Sequence, residues 1–241
     1  MAEKVWHLKS CELFANLPAE QIRRLESHCR VRSFAVRSLV YLPYQAADSV
    51  FLLTRGLVKV CHATPEGKQS TLAFIEPGEL FGELALFDPS QRDEFVEVVN
   101  AASVVMIPAE ELLHLMAQAN AFAVGITKLV GLRRQRIQRR LRNLLFQSNR
   151  DRLIHLLLDL ADQFGVPADS GVRLRIKLSH QELANLIGST RESVTIVLGQ
   201  LKSEGLIDVT RRRIAILRPH QMAERVGQTY RAPSPPGIPT L

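Results

Sequence analysis

The sequence predicts an α+β protein: a small N-terminal β barrel or roll, one long helix, and a compact C-terminal unit containing a helix-turn-helix. Three observations predict it. Short β-rich runs separated by turn residues fill the region from about Val31 to Ile107. No proline interrupts residues 120–148, where apolar residues recur at helical spacing. Two helix-start signatures, Ser179-His180-Gln181-Glu182 and Ser189-Thr190-Arg191-Glu192, flank Gly188.

The first thirty residues read as short helices. Leu13, Phe14 and Leu17 mark one, Ile22 and Leu25 another, and Pro18 suits the first turn of the second. Strands are predicted over 38–42, 49–54, 57–62, 70–75 and 96–107. Arg55-Gly56, Pro65-Glu66-Gly67, Glu76-Pro77-Gly78 and Asp88-Pro89-Ser90 punctuate them. In the long helix, Ile126, Val130, Arg133, Ile137, Leu141 (or Arg140) and Leu144 follow a 3-4 spacing. Such a seam, about three to four heptads long, suits a two-stranded coiled coil and so a homodimer. The alternative is a helix lying on its own domain.

Beyond Asn149, residues Leu153, Leu156, Leu157, Leu160 and Phe164 mark a helix ending near Gly165. Residues 172–178 alternate apolar and basic, which reads as a strand with one wet, positive face. Two short helices follow, then Gly205 and a hairpin through 206–209 and 214–217. The predicted boundaries are 1–118 for the roll, 119–148 for the helix, 149–220 for the C-terminal unit and 221–241 for a disordered tail. Prolines at 233, 235, 236 and 239 carry the last expectation.

Composition narrows the function classes. The 241 residues have 46% hydrophobic content and no run of about 18 apolar residues, so no membrane partner or span is expected. The N-terminus lacks an apolar signal core, and Cys11, Cys29 and Cys61 are odd in number and widely spaced. Both points favour a reducing cytoplasm over secretion. The charge is divided unevenly. Residues 1–120 hold 11 Lys+Arg against 15 Asp+Glu, a balance of −4, and residues 121–241 hold 20 against 9, a balance of +11. A basic half of this size points to a polyanion. No Ser/His/Asp, paired-acid or phosphate-loop constellation stands out, so no catalytic residue, no enzyme activity, no metal and no cofactor is expected.

The capping boxes and the glycine turn make the helix-turn-helix specific. Each N-cap hydroxyl satisfies an amide of its helix's first turn, Ala184 is small where the helices cross, and Gly188 permits the turn. The second helix of such a unit enters the major groove N-terminus first. Arg191 and Glu192 stand there: arginine can pair with guanine O6 and N7, and glutamate can accept from cytosine N4. Ser193 and Thr195 complete the candidate base contacts. Ser179, His180, Ser189, Thr190 and the hairpin-turn residues Arg211, Arg212 and Arg213 are candidate phosphate contacts. Against these readings stand a surface ion pair of Arg191 with Glu192 or Glu204 and a merely solvated basic turn.

At these residues the chain resembles the cAMP receptor protein/FNR superfamily of bacterial transcription regulators, over about residues 10–218. Leu178 through Thr195 resemble its winged helix-turn-helix. Phe164-Gly165-Val166-Pro167 and Leu178-Ser179-His180-Gln181 resemble the nitrogen-control branch. Residues 77–87, Pro-Gly-Glu-Leu-Phe-Gly-Glu-Leu-Ala-Leu-Phe, resemble the signature of the cyclic-nucleotide-binding β-roll. The resemblance implies a cyclic-nucleotide-binding-type β-roll, a dimerisation helix and a winged helix-turn-helix. Double-stranded DNA at a palindromic promoter site and RNA polymerase would be the partners.

In nucleotide-binding members the Gly-Glu after the roll's Phe holds the ribose, and a following Arg-Ser/Thr-Ala grips the cyclic phosphate. Gly82 and Glu83, followed by Leu84, match the first part; the second is Arg92-Asp93-Glu94, one residue closer. Two carboxylates against a phosphate cost about 1 kcal/mol per pair in water and more when buried. The positions implied to touch adenine are Ile137 and Gln138. The 2-oxoglutarate pattern of the nitrogen-control branch fares no better, with Glu94 on the roll and Gln135 and Arg140 on the helix. Arg133, Arg134, Arg136, Arg139, Arg140 and Arg142 lie on the long helix. Some of them are expected to pair with Asp93, Glu94 or Glu97, joining roll to helix without a small molecule. Gly82, Glu83, Leu84, Arg92, Asp93, Glu94, Arg133, Arg136, Ile137 and Arg140 are the candidate effector-pocket residues. The alternative is a regulator that responds to cAMP, another nucleotide or a small anion such as 2-oxoglutarate. Iron–sulfur sensing needs clustered thiolates, and haem at Cys61-His62 is opposed because adjacent strand residues face opposite ways. A competing class is a ligand-binding regulatory module that never touches DNA; it predicts an intact phosphate cassette and no winged helix.

Overall fold

A computed structural model describes Leu8 and residues 11–67 and 69–230. Two short helices, α1 (Glu12–Ala15) and α2 (Ala19–His28), lead into a six-stranded sheet. Its strands are β1 (Arg30–Phe34), β2 (Leu39–Tyr41), β3 (Ser49–Ala63), β4 (Gln69–Ile75), β5 (Leu80–Phe81) and β6 (Phe95–Pro108). The order is β1-β6-β3-β4, with β2 on β6 and β5 on β3. The predicted break at Arg55-Gly56 is instead an irregularity inside one 15-residue strand: the β3–β6 register shifts between Leu53 and Arg55 and again before Val58, while pairing continues. A bulge bends a strand without ending it.

Two apolar clusters hold this part together. Inside the roll, Tyr41, Phe51 and Phe81 stack with centroids 5.2–6.3 Å apart, among Leu53, Val58, Val96 and Val104. Outside it, Phe14, Ile22 and Leu25 of the first helices pack with Leu112 and Leu115 of α3 (Ala109–Gln118). Phe122 and Ile126, from the first turns of the 27-residue α4 (Asn120–Phe146), belong to the same cluster. Ile126 is fully buried there, so it cannot serve in the dimer seam where the spacing places it. Ile137, Leu141 and Leu144, further along the predicted seam, are exposed.

The chain divides into two compact units at Ile137/Gln138, within α4. In the second unit, α5 (Asn149–Phe164) is N-capped by Ser148, which accepts from the Asp151 amide at 3.1 Å. Arg152 of α5 donates to the carbonyls of Leu144 (2.6 Å) and Gln147 (3.0 Å), satisfying the open carboxyl end of α4. A four-stranded sheet follows in the order β7 (Gly165–Ala168), β8 (Gly171–Leu174), β10 (Arg213–Ile216), β9 (Ile207–Thr210). The alternation read over 172–178 holds, with Val172, Leu174, Ile176 and Leu178 buried and Arg173, Arg175 and Lys177 exposed. The paired strand ends at Leu174 and β7 lies beside it.

The tail predicted from 221 is corrected in its first part. Pro219–Arg225 form α8, with Met222 and Ala223 buried and proline in its first turn. Its apolar residues find a surface, and so the segment orders. The proline-rich remainder, 231–241, lies outside the described residues.

Because its contacts are within one chain, Ile126→Ala is expected to cost about 2–5 kcal/mol in urea unfolding. The oligomeric mass by light scattering should stay unchanged. A fall in mass would assign Ile126 to a subunit interface instead.

Candidate DNA-reading surface and effector pocket

The helix-turn-helix is α6 (His180–Ile187) and α7 (Arg191–Ser203). Ser179 and Glu182 form the reciprocal capping box: the Glu182 amide donates to Ser179 Oγ (3.2 Å), and the Ser179 amide donates to Glu182 Oε2 (2.7 Å). Gly188 ends α6 in the left-handed region, φ 63°. A Cβ there would come within 2.9 Å of Leu144 Cδ1, so the turn doubles as a seat for the last turn of α4.

The second predicted capping box is displaced by one residue. Thr190, not Ser189, is the N-cap, accepting from the Ser193 amide at 3.2 Å. Adjacent hydroxyls compete for that role, and the one that completes the buried stripe Val194, Val197, Leu198 and Leu201 wins. Glu192 therefore falls at the second position of the helix and does not close a box.

On the outer face of α7, Arg191, Glu192 and Thr195 are exposed. Among the described residues Arg191 forms no ion pair. Glu204, the partner weighed for it, accepts from Arg150 at 2.7 and 2.8 Å and also from Arg225. These donors hold its carboxyl below the ordinary range. Thr195 Oγ1 donates to the Arg191 carbonyl (2.8 Å) and lies 2.7 Å from His180 Nδ1, which ties the two helices together on this face. Ser179 and Ser193 hydroxyls are engaged in capping contacts with Glu182 and Thr190.

The β9–β10 hairpin turns through Arg211 (φ 47°) and Arg212 (φ 67°). Two left-handed residues fit a type I′ turn, which normally takes asparagine and glycine. Arginine there costs about 1–2 kcal/mol per residue. The Leu178 amide, one residue before the α6 cap, donates to the Arg212 carbonyl at 3.0 Å and fixes the turn beside that helix's start. Arg173, Lys177, Arg211 and Arg213 line a groove of about 390 Å³ on the sheet, with Asp208 and Thr210. Lys202 holds Asp208 at 2.9 Å, so that carboxylate does not neutralise the groove.

In the first unit the structure gathers Glu83, Arg92, Glu94 and Arg133. Gly82, φ 69°, opens a 3-10 turn (Glu83–Leu86) that turns the Glu83 side chain inward. A Cβ on Gly82 would meet Arg92 Nη1 at 2.9 Å, so glycine lets that guanidinium pack against the turn. Arg92 is 6% exposed. Its carbon lies 4.2 Å from the Tyr41 ring centre and 5.1 Å from that of Phe51, and Nη2 donates to the Ser49 carbonyl at 2.5 Å. The Tyr41 hydroxyl donates to Glu94 at 2.5 Å. Burial holds the Glu94 carboxyl above its ordinary range; the Tyr41 bond opposes this, and the Glu83 charge adds to it. Arg133 donates from both terminal nitrogens, one to Glu83 and one to the Leu80 carbonyl.

Several expectations about this pocket change. The helix arginine pairs with Glu83, not with Asp93, Glu94 or Glu97. Glu97 is held by Lys59 at 3.2 Å, and Asp93 points to solvent. Leu84, Arg136 and Ile137 are exposed, and Arg140 belongs to the second unit, where its charge acts on Asp159. Arg133 is turned to its own roll, where it meets Glu83 and the Leu80 carbonyl. Sequence reasoning missed Tyr41, whose strand reads only as core; an aromatic with a polar tip at the edge of a core was the available signal.

The comparisons agree with this architecture. Residues 31–119 match the model of a cyclic nucleotide-binding domain, and residues 151–225 that of a Crp-like helix-turn-helix domain. A global nitrogen regulator of Synechocystis sp. is 29% identical over 212 residues, covering 86% of this chain and 94% of its own. A CRP-like cAMP-activated global transcriptional regulator of Mycobacterium tuberculosis is 24% identical, covering 88% and 95%. Among solved structures, a CRP-family transcriptional regulator of Thermus thermophilus aligns with a TM-score of 0.69 at 29% identity, covering 83% of this chain and 99% of that one.

The fold and the two matched domains define a transcription regulator with a helix-turn-helix DNA-binding domain. The chain belongs to the CRP/FNR superfamily of bacterial regulators. In its roll the groups at the positions that would meet a cyclic nucleotide already have partners within the chain. The arginine that would meet the phosphate is enclosed by Tyr41 and Phe51, the carboxylate that would accept the ribose hydroxyl is paired, and a second carboxylate lies alongside.

Thr190→Ala is expected to lower the stability of the second unit by about 0.5–2 kcal/mol. Ser189→Ala should stay within about 0.5 kcal/mol. Thermal unfolding of both variants measures the difference, and equal losses would contradict the observed cap.

Proposed function

We propose that this chain acts as a homodimer on a palindromic promoter site, each α7 entering the major groove of one half-site. Paired recognition helices then fall about 34 Å apart, one turn of the duplex. Arg191 and Glu192 read base edges, with Ser193 and Thr195 beside them. The wing arginines 211–213, with Ser179, His180, Ser189 and Thr190, meet phosphates. The exposed apolar residues Ile137, Leu141 and Leu144, with Val130, supply the dimer seam, with Ile126 and Arg133 left out of it. RNA polymerase is the downstream partner, the compartment is the cytoplasm, and the protein is not an enzyme.

One observation carries this reading: Arg191 stands at the first turn of a capped, exposed recognition helix with no acidic partner among the described residues. A guanidinium placed so is available to guanine. A second reading, an effector-responsive regulator, is favoured by the matched cyclic nucleotide-binding domain alone. The competing ligand-binding module that ignores DNA is opposed by the winged helix and the altered phosphate cassette.

Selection of bound duplexes from a random pool tests the reading directly. Wild type should recover a palindrome and lose affinity steeply with salt. Arg191→Ala should lose about 1–3 kcal/mol and relax preference at one position of each half-site. An unchanged preference would remove Arg191 from the base-reading set.

A further inference from the structure

Four charges meet at the inner end of the roll, and each has a partner there. Two carboxylates, Glu83 and Glu94, face two guanidinia, Arg92 and Arg133. Arg92 is spent on the Ser49 carbonyl and two aromatic rings, and Glu94 on the Tyr41 hydroxyl. The side chains of Arg133 and Glu83 are 20% and 10% exposed. Arg133 reaches two acceptors, the Glu83 carboxylate in the 3-10 turn and the Leu80 carbonyl of β5, and Leu80 itself pairs with Leu52 of β3. The contact therefore runs from α4 into the sheet. An entering anion would have to strip Arg133 from Glu83, which leaves a buried carboxylate unpaired, or pull Arg92 off the Tyr41 and Phe51 rings it packs against. Either exchange is unfavourable.

We propose that Arg133 is a positioning residue that tethers the long helix to the roll in place of an effector, so that DNA affinity needs no small molecule. The inference rests on the DNA-reading role proposed above. It assigns Arg133, which the heptad spacing places in a dimer seam, to its own roll. The charge sits seven residues after Ile126, on the same helical face as the residue that anchors α4 in the core.

Hydrogen exchange and operator binding on the full chain test the tether by two routes. Arg133→Gln and Glu83→Gln should each speed exchange across residues 80–87 and 126–140. Each should weaken binding to the wild-type-selected operator by at least about tenfold, and the double variant should be no worse than either single. Adding cAMP, cGMP or 2-oxoglutarate should change wild-type affinity by less than about threefold. If the glutamine variants fail to fold, Arg133→Lys carries the same test, since it keeps the charge but loses the two-pronged geometry and should show a smaller rise in exchange. Unchanged exchange in these segments, or a larger gain from one of those ligands, overturns the proposal. Should wild type select no DNA sequence while exchange responds as expected, the tether stands and the DNA-reading role falls.

Discussion

The burial of Phe122 and Ile126 against the outer face of the roll is the constraint on which the rest of the first unit depends. These two residues, one turn apart, join Phe14, Leu112 and Leu115 in a single cluster and so fix the rotation of α4 about its own axis. Once that rotation is set, the residue seven positions on faces the same way, and at that place the chain carries Arg133. The guanidinium then meets the turn after β5, where Gly82 has already turned Glu83 inward. An apolar contact thus selects a polar one, a division of labour that suits the short range of hydrogen bonds.

The charge asymmetry separates into compensated and uncompensated parts. In the acidic half four carboxylates are held by the fold: Glu83 by Arg133, Glu94 by Tyr41, Glu97 by Lys59, and Glu111 by His28. In the basic half, Arg139, Arg150 and Arg225 are likewise held by acids. Arg191, beside Glu192 at the start of α7, and the wing residues Arg211, Arg212 and Arg213 form no ion pair among the described residues. The pairs of Arg139, Arg150 and Arg225 leave the +11 balance of that half unchanged, since it already counts the acids, and they show which of its arginines the fold holds.

Local chemistry made the helix-turn-helix legible in the sequence. Capping, a glycine turn and a short apolar stripe act over a few residues, and each leaves a readable mark. The one-residue error at Thr190 arose because two neighbouring hydroxyls satisfy the same rule. The roll was legible as a class and blurred in detail. β1 is exposed along nearly its whole length, so it shows no alternation, and the register shifts inside β3 read as a turn. The pocket was least legible. Arg133 fits a heptad as well as a buried ion pair, and only the burial of Ile126 decides between them. Arg92 falls near the place where the family keeps a phosphate ligand, but nothing in the sequence says that two rings and a carbonyl enclose it.

The left-handed Arg211-Arg212 turn has a consequence for how this unit balances robustness against purpose. Its backbone is pinned by Leu178, so the strain cannot relax by swinging the hairpin away. Asparagine and glycine would relieve it at once and yield a sturdier domain. The chain instead keeps two long cations at the tip, where their side chains contribute nothing to the core. Thermal resilience is given up in exchange for charge presented at a fixed distance from the first turn of α6. A consensus-style stabilisation of this protein would begin by erasing that feature, and the result would be a firmer scaffold with less to hold a nucleic acid.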